Sequence, residues 1–509
     1  MLTSLHLPSS LTPRRREPAP GPLAAKLQAA YTRLASGLPE EYPAEALAEA
    51  EAAVAELGDD PVATGRDGIT AERIDLREIP FVTIDPKGAT DLDQAMHLSV
   101  LGAGAQAPAD GPAFRVRYAI ADVGRFITPG GRLDAETHAR GQTIYLPDRR
   151  IPLHPEVISE GAGSLLPGVD RAAYVFTVEL NADGTIHSQE LVRAVVRSRT
   201  QLDYDAVQAD HDAGRALPEA IAWLPEIGAA LQADEAARGG IDLAIPDQDV
   251  VEADGDYTLT YRPRQGIEDA NAQISLLAGR VAANLMLEAG QGVLRTMPRP
   301  KDETIADFLA IVAGLGFPAD APYQDVIRSI GHQERNPRAL AVHYASPSLF
   351  RGAGYTLISE DAADSELLQA AVGAPYAHTT APLRRLIDRY VLPLAEAASR
   401  GAEPPAWALA GLEELPEVMQ KSGQRASQID RQVIEYTEAI LLAERIGEAF
   451  DGVVVGSRTT KSGTRLVEVH VPEPAVVLWA EGEAPVGEPV RIRLRAAEPE
   501  AGKLFLDVV

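Results

Sequence analysis

The chain has 509 residues, too many for one compact core, carries a formal charge of −27 and contains no cysteine. The missing cysteines exclude disulfide frameworks and thiolate metal sites, and the acidity excludes indiscriminate polyanion binding, which needs Lys and Arg against phosphate. With 45% apolar residues, a mean hydropathy of −0.09 and no apolar run near the roughly 20 residues that span a bilayer, a soluble, multidomain, cytoplasmic protein without membrane contact is expected.

The first stretch, MLTSLHLPSSLTPRRREPAPGP, has a basic cluster but no continuous apolar segment ahead of a cleavage site, and it reads as a disordered leader. Residues 22–57 read as helical. Leu23, Leu27, Tyr31 and Leu34 recur at helical spacing, an Ala-rich amphipathic run follows, and Pro39 and Pro43 separate the two. A small N-terminal helical domain, with helix-turn-helix as one option, is expected over residues 1–70.

From about residue 72 the texture becomes β-like, with IPFVTID and FRVRYAIADV separated by a Gly/Ala/Pro-rich loop at 101–113. AAYVFTVELNADGTI reads as a hairpin turning at Asn181 to Gly184. Beyond about residue 215 long helical patterns dominate, including ANAQISLLAGRVAANLMLEAG, LRRLIDRYVLPLAEAAS and DRQVIEYTEAILLAERIGEAF. Strands followed by helices predict an α+β domain over 71–448. Short strands return after Asp451 (GVVVGS, RLVEVHV, AVVLWA, PVRIRLRA, KLFLDVV), and five of them in so short a span predict an OB-fold β-barrel over 449–509.

FVTIDPKGATDLDQAMHL gathers Asp85, Asp91 and Asp93 just after an apolar run. Crowded carboxylates repel, and a hard divalent cation that prefers oxygen ligands relieves the repulsion. In an extended segment Asp91 and Asp93 share a face while Leu92 points the other way. Taken alone, the cluster fits a metal site or a loop of turn-forming aspartates; D-x-D also occurs in phosphatases and glycosyltransferases, but the phosphatase pattern matches poorly, since Thr90 precedes the pair and Gln94 follows it. Arg149 with Arg150, and Arg384, Arg385 and Arg389, form short basic runs that read as solvated faces unless context decides otherwise.

Three further stretches follow the cluster in order: VRYAIADVGRFITPGGRLDAETHARGQTIYLPDRRIPLHPEVIS, then SLLPG, then PYAHTTAPLRRLIDRY. Together they resemble the catalytic domain of the ribonuclease II/ribonuclease R family over roughly residues 72–445. The resemblance implies a central mixed α/β exoribonuclease domain that degrades single-stranded RNA processively from a free 3′ end, acting as a monomer. Nucleoside 5′-monophosphates would be released by a water activated by Mg2+, or by Mn2+ in its place. Asp85, Asp91 and Asp93 match the family's metal-holding aspartates, and Arg384 matches the arginine that steadies the scissile phosphate. Tyr145 matches a tyrosine that stacks on a base near the 3′ end; Arg385 and Asp430 are expected to contact substrate.

The chain departs from the family in three places. Gln94 stands where a fourth aspartate is expected, although an amide oxygen could still ligate. AQISLLAG lacks the acidic residues and terminal asparagine usual in its helix, and the region before residue 72 is too short for two cold-shock OB-folds. The barrel is acidic and nearly free of aromatics apart from Trp479, a poor stacking surface. Two other functions stay open: a catalytically impaired protein that holds RNA 3′ ends, and a D-x-D metal-dependent phosphatase or transferase.

Overall fold

The computed structural model describes residues 22–509 except 59, 71, 102–110, 244–246, 254–255, 263–264, 332–335 and 360. The expected leader and most of the 101–113 loop therefore lie outside the described residues. Helices α1 (Pro22–Ala35) and α2 (Ala44–Leu57) come first, divided by the proline-bearing turn. Leu27 and Tyr31 of α1 are fully buried in a cluster with Ile429 and Val433, and the Tyr31 hydroxyl shares a 2.7 Å hydrogen bond with Thr437. Ala50, Ala53 and Leu57 of α2 instead join the central domain's core.

That domain opens with β1 (Ile74–Asp75), β2 (Phe81–Asp85), β3 (Gln94–Val100) and β4 (Phe114–Ala121). Helix α3 (Arg132–Arg140), the hairpin β5 (Ile144–Leu146) and β6 (Arg149–Ile151), and the long pair β7 (Asp170–Leu180) and β8 (Ile186–Asp203) follow. The sheet order is β1-β8-β2-β3-β4-β7, and β8 pairs with β7 as well, so the sheet curls back on itself. The β7–β8 turn falls at the predicted Asn181–Gly184, where Gly184 takes φ 83° and Asn181 N–H bonds Thr185 O at 2.9 Å. Apolar alternation sorts the two faces. Val116, Tyr118 and Ile120 of β4 enter the larger core, whereas Ala119 and Ala121 face α2, Phe126 and Leu133.

A helical half packs on that larger core. It contains α4 (Tyr204–Asp212), α5 (Leu224–Ala237), the hairpin β9 (Asp247–Ala253) and β10 (Asp256–Arg262), then α6 (Gly266–Glu288) and β11 (Val293–Thr296). Helices α7 (Asp302–Gly314), α8 (Tyr323–Ile330) and α9 (Pro337–Ala345) precede β12 (Gly354–Leu357), and α10 (Leu386–Ser399), α11 (Ala406–Gly411) and α12 (Leu415–Leu442) complete it. Helix α6 places Ile274, Leu277 and Val281 against the sheet; α10 adds Leu386, Ile387 and Val391.

The C-terminal strands β13 (Ala449–Thr459), β14 (Arg465–Val471), β15 (Val476–Glu481), β16 (Pro489–Glu498) and β17 (Lys503–Val508) close into a barrel of order β13-β14-β15-β17-β16. All five coincide with the predicted strands, because alternate residues such as Val467, Val469, Val471, Ile492 and Leu494 fill the interior. The fold is thus a mixed α/β domain with N-terminal helices and a five-stranded OB-type barrel. No helix among the described residues is long and apolar enough to cross a membrane.

Candidate active site

The aspartate loop is held from three directions. Leu92 is fully buried in the core beside α2, and its neighbours Asp91 and Asp93 project away from that anchor. Ser164, from the SLLPG stretch, accepts from Leu92 N–H at 2.9 Å and donates to Thr90 O at 2.7 Å. Leu165 N–H bonds Leu92 O, and Ala121 N–H, from the IADV stretch, bonds Asp93 O, each at 2.9 Å. Two of the sequence stretches therefore act as buttresses for the acidic loop.

The third buttress is the loop leading into α10. Asp388 shapes it by accepting from Ala381 N–H at 2.8 Å and from the Arg385 guanidinium at 2.8 and 3.0 Å. The resulting turn aims Leu383 N–H at Asp93 Oδ1 (2.8 Å) and places Arg384 Nε 3.5 Å from Asp93 Oδ2. Buried His154 bonds Leu383 O at 3.0 Å through Nδ1; because a carbonyl only accepts, this fixes the proton on Nδ1. Arg384 and Arg385 precede the helix and face different ways. Arg384 reaches the carboxylates, while Arg385 turns inward and is committed to Asp388.

Asp85, at the end of β2, and Asp93 each keep one buried oxygen, Oδ2 in both cases, without a hydrogen-bond donor. Burial pushes Asp93 up to about 8, against the opposing pull of Arg384 and Leu383 N–H. Asp85 is raised well above the usual carboxylate range by burial and then by Asp93 and Asp91. Asp91 is bound differently. Tyr145 of β5 and Arg150 of β6 are directly opposed across the hairpin, and both reach it. Tyr145 OH lies 3.3 Å from Oδ2 and Arg150 Nη1 3.2 Å from Oδ1. Burial and Asp91 push the Tyr145 hydroxyl up, so it stays a neutral donor. Arg150 also bonds Thr90 Oγ1 at 3.1 Å and pairs closely with Glu160.

Gln94 donates to Thr380 O at 2.6 Å and accepts from Tyr118 OH, which in turn shares a 2.8 Å bond with Ser275 of α6. Two departures from the family pattern, the glutamine and the AQISLLAG stretch of α6 without acidic residues, thus meet through one tyrosine, and the amide is engaged at both ends by protein. Asp430 is exposed on α12, one residue after Ile429, which is buried with Ile144 and Leu146 of β5.

Sequence reasoning missed Arg150 and Glu160. The only available signal was the PD turn between Tyr145 and Arg150, which sets those two residues opposite each other. Among the described residues no three Asp, Glu or His side chains are grouped tightly enough to enclose a metal by themselves. The donor set still fits a hard divalent cation, since Mg2+ keeps several waters and needs only one or two carboxylates. The buried, donorless Oδ2 atoms of Asp85 and Asp93 are suitable ligands, and a cation there would offset the burial, and the lesser repulsion, that raise both groups.

Comparison with known proteins bears on the same segments. Residues 73–400 match the RNB domain, and residues 448–509 match the RNase II-type exonuclease C-terminal S1 domain. Ribonuclease R of Aquifex aeolicus is 28% identical over 444 residues, which are 82% of this chain and 58% of that protein. The chain thus spans a little over half the length of such curated relatives. The fold is similar to Mycoplasma genitalium RNase R in complex with ribose-methylated single-stranded RNA, with TM-score 0.73 and 19% identity, covering 92% of this chain and 78% of that one. It is also similar to yeast Ssd1, a pseudonuclease, with TM-score 0.63 and 14% identity, covering 88% and 58% respectively.

Proposed function

The chain belongs to the RNB-domain family, and from that premise we propose that it is an active Mg2+-dependent 3′→5′ exoribonuclease that takes single-stranded RNA with a free 3′ end. One observation carries the reading. Asp93 and the Leu383–Arg384 turn, 290 residues apart in sequence for the bonded pair, meet beside two buried carboxylate oxygens that have no donor. Buried polar atoms are ordinarily hydrogen-bonded, and here the open oxygens belong to two carboxylates served by a single arginine, Arg384.

In the proposed reaction, water attacks the phosphorus between the last two nucleotides. The bond to the 3′ oxygen breaks, leaving a shortened RNA with a 3′ hydroxyl and a nucleoside 5′-monophosphate. Asp85 and Asp93 would hold a divalent cation, which would supply positive charge and a more acidic attacking water. Arg384 offers a planar, permanently charged fork to the phosphate oxygens as they gain charge in the transition state. Tyr145 presents its ring to a base near the 3′ end, a sequence-tolerant contact, while its hydroxyl steadies Asp91. Arg385 acts through the loop, since its guanidinium holds Asp388. Asp430 is assigned to contact near the 3′-terminal nucleotide.

The test is a 5′-labelled single-stranded RNA incubated with purified protein, with and without Mg2+. A Mg2+-dependent ladder shrinking to a short end product, with 5′-monophosphates released, is expected. A mobility shift without cleavage would instead establish the RNA-holding function, and inertness toward RNA the phosphatase or transferase one.

A further inference from the structure

The carboxylates of the site fall into two halves that the protein treats differently. Asp85 and Asp93 form an inner half, buried and short of donors. Asp91 and Glu160 form an outer half, and there a guanidinium is already installed. Arg150 bridges Asp91 Oδ1 at 3.2 Å, Thr90 Oγ1 at 3.1 Å and Glu160, while Thr90 Oγ1 itself donates to Glu160 Oε2 at 2.6 Å. Tyr145 completes the enclosure at Asp91 Oδ2. These side chains are only 12–21% exposed at Asp91, Arg150 and Glu160, so the charges meet largely out of bulk water, where a pair is screened little.

Two-metal phosphoryl sites place their ions about 3.5–4 Å apart on shared carboxylates. Here Asp91, the outer carboxylate nearest the inner pair in sequence, has both oxygens engaged by Arg150 and Tyr145. We propose that Arg150 is a resident cation that takes the place of a second divalent ion, so the outer half of this site excludes metal and the protein works with one ion, held by Asp85 and Asp93. A guanidinium is always charged and cannot be competed away by proton loss. It supplies a single positive charge, with fixed donors, where an exchangeable ion would supply two. The inference rests on the metal reading given above, yet it concerns Arg150 and is read independently of RNA hydrolysis.

Mn2+ binding, measured by equilibrium dialysis and by the loss of free-ion signal in electron paramagnetic resonance, tests it on the full chain without RNA. Arg150→Ala is expected to bind one more Mn2+ per chain than the wild-type protein. Arg150→Ala/Glu160→Gln should lose that extra ion, and Arg150→Lys, which keeps a cation, should match wild type. Equal stoichiometry in wild type and Arg150→Ala overturns the proposal, whatever the number. Should Arg150→Ala not fold, the wild type decides: two ions overturn the proposal and one supports it. Binding of none by the wild type would strike the Asp85/Asp93 metal reading itself, and the difference between the two proteins still decides the role of Arg150.

Discussion

At Asp122 two arginines face one carboxylate oxygen, Arg73 Nη2 at 2.8 Å and Arg193 Nη2 at 3.0 Å, with all three side chains at most 3% exposed. At Asp85 and Asp93 the proportion is reversed: two buried carboxylates have one arginine nearby, Arg384, and it stands 3.5 Å from Asp93. The electrostatics follow. Arg193 and Arg73 outweigh burial and hold Asp122 below the usual carboxylate range, whereas burial wins at Asp93 and pushes it up to about 8. Even in the first group Asp67, 4.0 Å from Arg193, is pushed up to about 6 by burial and by Asp122 beside it. Both groups are buried and both contain Asp and Arg. What separates a structural cluster from a candidate site is the unmatched negative charge.

The matched cluster should break as a structural unit. Asp122→Ala strands two buried guanidinium groups, and stability should fall by about 3–5 kcal/mol in urea unfolding. The rate per folded molecule should stay within a few-fold of wild type. A large rate loss in protein shown to be folded would mean that this cluster also serves the chemistry.

The under-matched cluster should break the other way. Arg384→Ala is expected to slow single-turnover cleavage by about 10²–10³, the scale for one lost transition-state donor, with little change in melting temperature. Arg384→Lys should recover little, because an ammonium lacks the bidentate fork. Near-complete recovery by lysine would reduce the residue to its charge.

The outer edge of the site is the milder probe. Tyr145→Ala removes a stacking surface worth about 1–3 kcal/mol per base, so short RNAs should dissociate earlier and the limit product should lengthen. An unchanged end product on a sequencing gel would remove Tyr145 from the 3′-end pocket.

The smallest effect concerns the beam that links the loop to the core. His154 is held down to about 3 by burial, against the usual value near 6.5. The unfolded chain therefore takes up a proton that the folded chain refuses, and His154 subtracts stability as pH falls below about 6.5, by at most about 1.4 kcal/mol per pH unit. Comparing urea midpoints of wild type and His154→Gln from pH 7 to 5 isolates that contribution. Parallel curves would show that the ring is not held neutral.

Much of this was legible in the chain. The barrel strands were visible because alternating apolar residues meet short polar turns, and the β7–β8 hairpin was visible because Asn-Ala-Asp-Gly is turn chemistry. Asp85, Asp91, Asp93 and Arg384 were marked by the ordered set of motifs. The hairpin β9–β10 was overlooked, although DVVEADGDYTLTYR alternates around an Asp-Gly pair. Arg150 was hidden because a basic pair ordinarily marks a solvated face, and its three partners lie 10 to 60 residues away along the chain. The inward turn of Arg385 was hidden for a related reason. Which of two adjacent arginines meets substrate depends on the loop that Asp388 folds, and spacing alone does not reveal it.

The most direct measurement is on Asp93→Asn, which removes one buried charge and keeps the shape. Single-turnover cleavage at saturating Mg2+ and the affinity for a single-stranded RNA should be measured on the same folded preparation. The account predicts that cleavage falls at least about a hundredfold, roughly 2.7 kcal/mol of barrier, while RNA affinity stays within a few-fold. A variant that keeps more than about a tenth of the wild-type rate, within roughly 1.4 kcal/mol of it, would contradict the claim that the surplus carboxylate charge exists for the chemistry.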